Sequence, residues 1–133
     1  MQKKLSASYH ALESLCEQRI VILDGAMGTM VQRHHLEEDD YRGELFRKHA
    51  RDLKGNNDVL VLTRPDVIGG IHRAYLEAGA DLIETCTFNA TAISQAEYGL
   101  ESEVFRINKA GAELVRKTID AYRSEVEDRP CFV

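Results

Sequence analysis

Arg19-Ile20-Val21-Ile22-Leu23-Asp24-Gly25-Ala26-Met27-Gly28-Thr29 is the stretch on which the reading of the fold turns. Its first half is a short, continuous, β-branched apolar run that stops at Asp24-Gly25, the pattern of a strand buried on both faces in a parallel sheet. Gly25 and Gly28 bracket a tight loop, and residues 29–33 read as the start of a short helix. Upstream, Leu5, Tyr9, Leu12, Leu15 and Cys16 recur at helical spacing, which predicts an opening helix with Cys16 on its core side. Downstream, residues 34–58 are polar and irregular, with room for one helical turn, and a loop of that length is usually functional or a lid. Residues 59–62 read as a short apolar strand or a buried connector. Pro65 then suits a first helical turn. Val67, Ile68, Ile71, Ala74, Tyr75 and Ala78 share one face, with His72 at its surface edge and Gly79 as C-terminal cap. Residues 81–85 read as the next strand. A short helix around 92–98 ends at Gly99, and a longer one carries Val104, Ile107, Gly111, Leu114, Val115, Thr118 and Tyr122 on one side. Residues 130–133 look like the start of a third core strand. Helix, glycine, short apolar strand is the βα rhythm of a parallel sheet, so the predicted fold class is α/β.

With 133 residues the chain is one domain or part of one. A closed eight-stranded α/β barrel needs roughly 250 residues, so a complete barrel is excluded. Apolar residues make up 44% and charged residues 29%, a globular mix that excludes a disordered or collagenous chain. No apolar run approaches the roughly 18 residues of a membrane span. Met1-Gln2-Lys3-Lys4-Leu5 leads into polar residues, unlike a secretory signal. Cys16, Cys86 and Cys131 are an odd, widely spaced set, which argues against a disulfide framework and for a reducing, cytoplasmic setting. The net charge of −5, from 17 basic and 22 acidic residues, argues against a basic nucleic-acid face. A buried strand beginning at Pro130 has nothing to pair with, so the chain is expected to be a piece of a larger α/β protein.

In parallel α/β folds, ligands collect at the carboxyl ends of the strands. Two such exits stand out. The first, Asp24-Gly25-Ala26-Met27-Gly28-Thr29, sets a carboxylate beside backbone N–H groups at a turn where glycine lets a ligand approach closely. N–H groups opening a helix favour an anion. The loop can therefore take an α-amino acid, its carboxylate on the N–H groups and its ammonium on Asp24. On residue types alone, a glycine turn with Asp24 as a helix cap comes first, because short glycine motifs recur by chance. The second exit offers Glu84, the hydroxyls of Thr85 and Thr87, Phe88 as an apolar wall, and Asn89. Its plain alternative is a solvated strand end with a core phenylalanine. Adjacent His34 and His35 cannot share a face. Cys86 and Cys131 fall at opposite ends of neighbouring strands, about 17–20 Å apart, against a zinc–sulfur bond of about 2.3 Å. No metal ligand is therefore expected in this chain.

Ile22-Leu23-Asp24-Gly25-Ala26-Met27-Gly28-Thr29-Met30, Asp40-Tyr41-Arg42-Gly43-Glu44, Leu53-Lys54-Gly55-Asn56-Asn57-Asp58 and Ala78-Gly79-Ala80-Asp81-Leu82-Ile83-Glu84-Thr85 stand in this order and spacing. Together they resemble the N-terminal homocysteine-binding region of the cobalamin-dependent methionine synthases, within the homocysteine S-methyltransferases. The resemblance runs from about Arg19 to Val133 and reverses the order of the two readings of the first loop. It implies that residues 1–133 are a single partial domain, the first part of a (β/α)8 TIM-type barrel. It implies a parent enzyme that moves a methyl group from methylcobalamin, recharged by 5-methyltetrahydrofolate, to homocysteine. The family's zinc is held by three cysteines of later strands, a lone one and an adjacent pair, which this chain lacks. Zinc and cobalamin thus belong to the parent enzyme, no catalytic or metal residue is expected here, and the chain alone is expected to be inactive.

By the same resemblance, Asp24 pairs with the substrate ammonium, and the N–H groups of Gly25, Ala26 and Met27 are candidates for its carboxylate. Glu84, Thr85, Thr87, Phe88 and Asn89 line the pocket. The implied partners are homocysteine, the rest of the barrel and the folate and cobalamin modules, with no nucleic acid and no membrane. Open sheet edges would invite self-association. The competing readings are a zinc-dependent homocysteine methyltransferase using betaine or S-methylmethionine, a non-catalytic α/β interaction fragment, and a phosphate-binding module. The last lacks both the P-loop lysine and the dinucleotide fingerprint.

Overall fold

The computed structural model describes residues 5–126 and 129–133. The start of the chain that bears on secretion, residues 1–4, lies outside them. The architecture is helical: α1 (Ala7–Gln18), α2 (Met27–Gln32), α3 (Glu38–Arg42), α4 (Leu60–Thr63), α5 (Pro65–Ala78), α6 (Ala92–Gln95) and α7 (Val104–Glu125), with 3-10 turns at Asn57–Val59, Ala96–Tyr98 and Glu101–Glu103. No helix among the described residues is long and apolar enough to cross a membrane.

This overturns the expected α/β class and the first part of a barrel. The described residues contain no sheet, only two isolated parallel bridges, Leu23 to Leu82 and Leu82 to Phe132. The three apolar runs at 19–23, 81–85 and 130–133 do come together in parallel order. The Asp24 N–H donates to the Leu82 carbonyl at 2.9 Å, the Asp81 and Leu82 N–H groups donate to the Ile22 carbonyl, and the Ile83 N–H donates to the Phe132 carbonyl at 2.9 Å. Pairing stops after one residue on each side, so no ladder forms. The first run is also not buried on both faces: Ile20 is 86% exposed and Ile22 53%. Among the described residues, two single-residue bridges therefore stand where open sheet edges were expected. The fourth run, 59–62, is helical: Val59 closes a 3-10 turn and residues 60–62 open α4. Four consecutive apolar residues carry no period and fit a buried helix as well as a strand.

The helices form where their ends are chemically marked. Ser6 Oγ accepts from the Tyr9 N–H at 3.1 Å to open α1. A capping box joins Glu37 and Asp40 at α3. Pro65 opens α5, and Gly79, at φ 112°, closes it in the left-handed region that favours glycine. Thr91 caps α6. The α1 helix forms as its periodicity predicts, but none of its residues is buried, and Cys16 is exposed rather than in a core.

The body rests on α5 against α7. A Cβ at Gly69 would stand in ordinary contact with Leu114 at 3.5 Å and Thr118 at 3.7 Å, so the two helices meet there within van der Waals reach. Ile68, Ile107, Val115 and Ile119 are fully buried, each stabilising by about 2 kcal/mol. His72 belongs to this buried face instead of its edge: it is 0% exposed, and neither ring nitrogen has a hydrogen-bond partner among the described residues. It lies four residues from both Ile68 and Leu76, mid-stripe on α5. Asp81 ties the three bridged segments together. Its buried carboxylate accepts two hydrogen bonds from Arg19, at 2.7 and 2.9 Å, and one from the Ile22 N–H. The Arg19 bonds, with the Ile22 N–H, lower its pKa to about 2.

Candidate functional site

The bridged segments point their exits into one cavity of about 860 Å³. All nine residues singled out in the two exits line it: Asp24, Gly25, Ala26, Met27, Glu84, Thr85, Thr87, Phe88 and Asn89. Asp24 leaves the first segment and accepts the Glu84 N–H at 3.0 Å, so the two exits are fastened to each other. Burial pushes the Asp24 carboxyl up from its ordinary range, against the lowering effect of that N–H. Ala26 sits at φ 40° in the left-handed region, which turns the chain sharply into α2. The N–H groups of Gly25, Ala26 and Met27 have no acceptor among the described residues.

On the other exit, the Thr85 and Thr87 hydroxyls lie 2.6 Å apart. They face Gly111 of α7, where an added Cβ would stand 2.7 Å from the Thr87 methyl. Phe88 is 94% exposed, so it stands on the rim of the cavity and is not the core phenylalanine of the plain alternative. Asn89 bonds through its backbone: its N–H donates to Asp58 at 2.6 Å.

A third stretch completes the cavity and was not among the expected site residues: Gly55, Asn56, Asn57 and Asp58. Arg42 places it. The guanidinium donates to the His49 carbonyl at 2.6 Å and pairs with Glu38, whose carboxylate accepts the Leu53 and Lys54 N–H groups. The loop before Gly55 is thus pinned to α3. Asn56 and Gln95, both buried, exchange amide hydrogen bonds of 2.8 and 3.2 Å. Gln95 also donates to the Asn89 carbonyl at 3.1 Å. Asp58 is buried, and burial raises its pKa against the single Asn89 N–H. Asn57 accepts from the Tyr41 hydroxyl at 3.0 Å. The sequence signal for this stretch was the run of amide and acid side chains just after Gly55, whose φ is 99°. Such a run ahead of an apolar segment points to side chains held inward by a turn.

Among the described residues, the lining carries Asp24, Asp58, Glu84 and Glu97 and no Lys, Arg or His. Cys86 lies on the lining too, buried, its thiol 3.5 Å from the Asn57 carbonyl. Burial pushes that thiol up to about 12. Among the described residues, no three His, Cys, Asp or Glu side chains converge where a metal ion would be held. These residues therefore do not fit the zinc that the resemblance implies, and no chemical step is assigned to a metal here.

The cavity gathers carboxylates, hydroxyls and backbone N–H groups at the ends of converging segments, the concave form with a few convergent polar groups that small-molecule sites take. Residues 21–133 match the family model described as homocysteine S-methyltransferase, and the chain belongs to that family. Its structure is similar to that of the homocysteine methyltransferase MmuM from Escherichia coli. For the oxidized form the TM-score is 0.70 at 25% identity, covering 90% of this chain and 37% of that one. For the metallated form it is 0.69 at 25% identity, covering 92% and 38%. The chain thus spans under two-fifths of the length of these proteins.

Proposed function

We propose that the cavity binds the amino-acid end of homocysteine, and that the chain serves a methyltransferase making methionine from it. The observation that carries this reading is the juxtaposition of Asp24 with the N–H groups of Gly25, Ala26 and Met27, which are unengaged among the described residues, in a cavity whose described lining has no basic side chain. A zwitterion fits this arrangement. Its ammonium sits against Asp24, offsetting the cost of holding that carboxylate half-buried. Its carboxylate takes neutral donors, and its side chain extends along Thr85, Thr87 and Phe88. Membership of the homocysteine S-methyltransferase family supports homocysteine as the amino acid. Methylcobalamin, recharged by 5-methyltetrahydrofolate, is the proposed donor, on the strength of the Tyr41-Arg42-Gly43-Glu44 and Lys54-Gly55-Asn56-Asn57-Asp58 segments. Thiol activation and methyl delivery are assigned to polypeptide beyond the shared two-fifths, so the chain alone binds without turnover.

Calorimetric titration of the chain with homocysteine, without added metal, tests the reading. Binding is expected to weaken about tenfold or more in Asp24→Asn, which replaces an ion pair with the ammonium by a hydrogen bond to a neutral amide oxygen. Mercaptobutyrate, which lacks the ammonium, should bind weakly to both forms. Equal affinity of the wild-type chain for homocysteine and mercaptobutyrate would refute the role of Asp24.

A further inference from the structure

We propose that the side-chain amide of Asn57 is a specificity-determining donor for the ligand's carboxylate, and that Tyr41 is the positioning residue that aims it. The inference rests on the amino-acid reading above and adds to it a side chain from a part of the sequence that the two exits do not include.

An amide can present either its oxygen or its nitrogen to a ligand. Here the choice is made by Tyr41. That residue is buried, and its hydroxyl donates to Asn57 Oδ1 at 3.0 Å. With the oxygen engaged, Nδ2 is left toward the first loop, 3.9 Å from where a Cβ on Gly28 would stand. Nδ2 has no acceptor among the described residues, while Asn57 and Gly28 both line the cavity. The backbone of Asn57 is held as well, since its carbonyl accepts from the Cys86 thiol. The amide is therefore fixed at both ends of the residue, with two N–H bonds unspent.

Charge gives the site its need for such a group. A ligand carboxylate entering among Asp24, Asp58 and Glu84 meets like charges and, among the described residues, no basic side chain. Only neutral donors are available to it. Of the three side-chain amides that line the cavity among the described residues, that of Asn56 donates to Gln95, that of Asn89 is exposed with no partner to aim it, and that of Asn57 is both oriented and free. Asn57 also discriminates. A carboxylate at its position would repel the ligand's acid end and leave the attraction for an amine intact.

The test compares homocysteine with aminopropanethiol, its analogue without the carboxylate, by calorimetry on the 133-residue chain. Asn57→Asp should lower homocysteine affinity about ten- to a hundredfold, the worth of a hydrogen bond to a charged group. Affinity for aminopropanethiol should hold or rise. Tyr41→Phe keeps the ring but releases the amide, and should show the same ligand dependence with a smaller loss. Circular dichroism confirms that each variant is folded, and Tyr41→Phe carries the test should Asn57→Asp not fold. Equal losses for both ligands, or an unchanged homocysteine affinity, would overturn the role of Asn57. A wild-type chain that binds neither ligand would instead overturn the amino-acid reading, and this inference with it.

Discussion

Gly111→Ala is the perturbation that most directly probes how α7 shapes the cavity. A Cβ there would meet the Thr87 methyl at 2.7 Å, whereas carbon atoms in ordinary contact stay about 3.5–4.0 Å apart. Thr87 must withdraw by about 1 Å, while Thr85 at 3.8 Å and Val61 at 3.9 Å from the added Cβ keep that Cβ from shifting the other way. Overpacking of this kind costs about 1–3 kcal/mol. Replacing a mid-helix glycine by alanine gains about 1 kcal/mol from propensity. The net expectation is a loss of about 0–2 kcal/mol. Gly70→Ala in α5 isolates the propensity term, because nothing stands within 4 Å of a Cβ there; it should gain about 1 kcal/mol. The two variants should therefore differ by about 1–3 kcal/mol in urea unfolding, or roughly 4–12 °C in Tm. Thr87→Ser removes the offending methyl and should recover most of the loss in the Gly111→Ala background, a coupling a double-mutant cycle reads directly. Equal stabilisation by both alanines, or no rescue by serine, would refute the packing of α7 on the second exit.

Three further expectations follow from buried groups. The His72 imidazole, with a pKa lowered to about 4 by burial from 6.5, stays neutral in the fold while the unfolded chain takes up its proton. Stability should fall as pH drops below about 6.5 and level off below about 4, by about 3 kcal/mol in all; His72→Leu should flatten that part of the profile. Asp81, lowered to about 2 from 3.8, contributes fully above pH 3.8 and loses its contribution as pH falls through 2. With Arg19 43% exposed to screening solvent, Asp81→Asn should cost about 1–2 kcal/mol at neutral pH and nothing below pH 2. Under native conditions a thiol reagent should modify exposed Cys16 and leave buried Cys86 and Cys131 untouched until the chain unfolds; mass spectrometry counts the adducts.

The helices whose ends carry chemical markers were legible in the sequence. Pro65 and Gly79 bound α5, and the stripe from Val104 to Tyr122 lies within α7. The apolar runs were not, because an unbroken run of four or five aliphatic residues has no period to read. Whether it pairs along its length depends on what stands beside it. Ile20 and Ile22 have a partner segment on one side and solvent on the other, and 59–62 coils under the turn at Asn57. His72 was readable in principle, since its spacing from Ile68 and Leu76 centres it on the buried stripe; its polarity argued the other way. Cys16 was not, as nothing in α1 says whether a neighbour covers its apolar side. In the cavity, the residues flanking Asp24 and Glu84 come from strand-exit reasoning, and they do meet. Asn56, Asn57 and Asp58 arrive through Arg42 and Glu38, a tertiary connection that local pattern does not encode.

Cys86 has a bearing on redox behaviour at the cavity. Only thiolates attack disulfides, and a sulfhydryl with a pKa near 12 is ionised to roughly one part in a hundred thousand at neutral pH. A disulfide brought to the cavity would therefore find a neighbour too inert to form a mixed disulfide with it. The wall of the chamber contains sulfur without competing in sulfur chemistry.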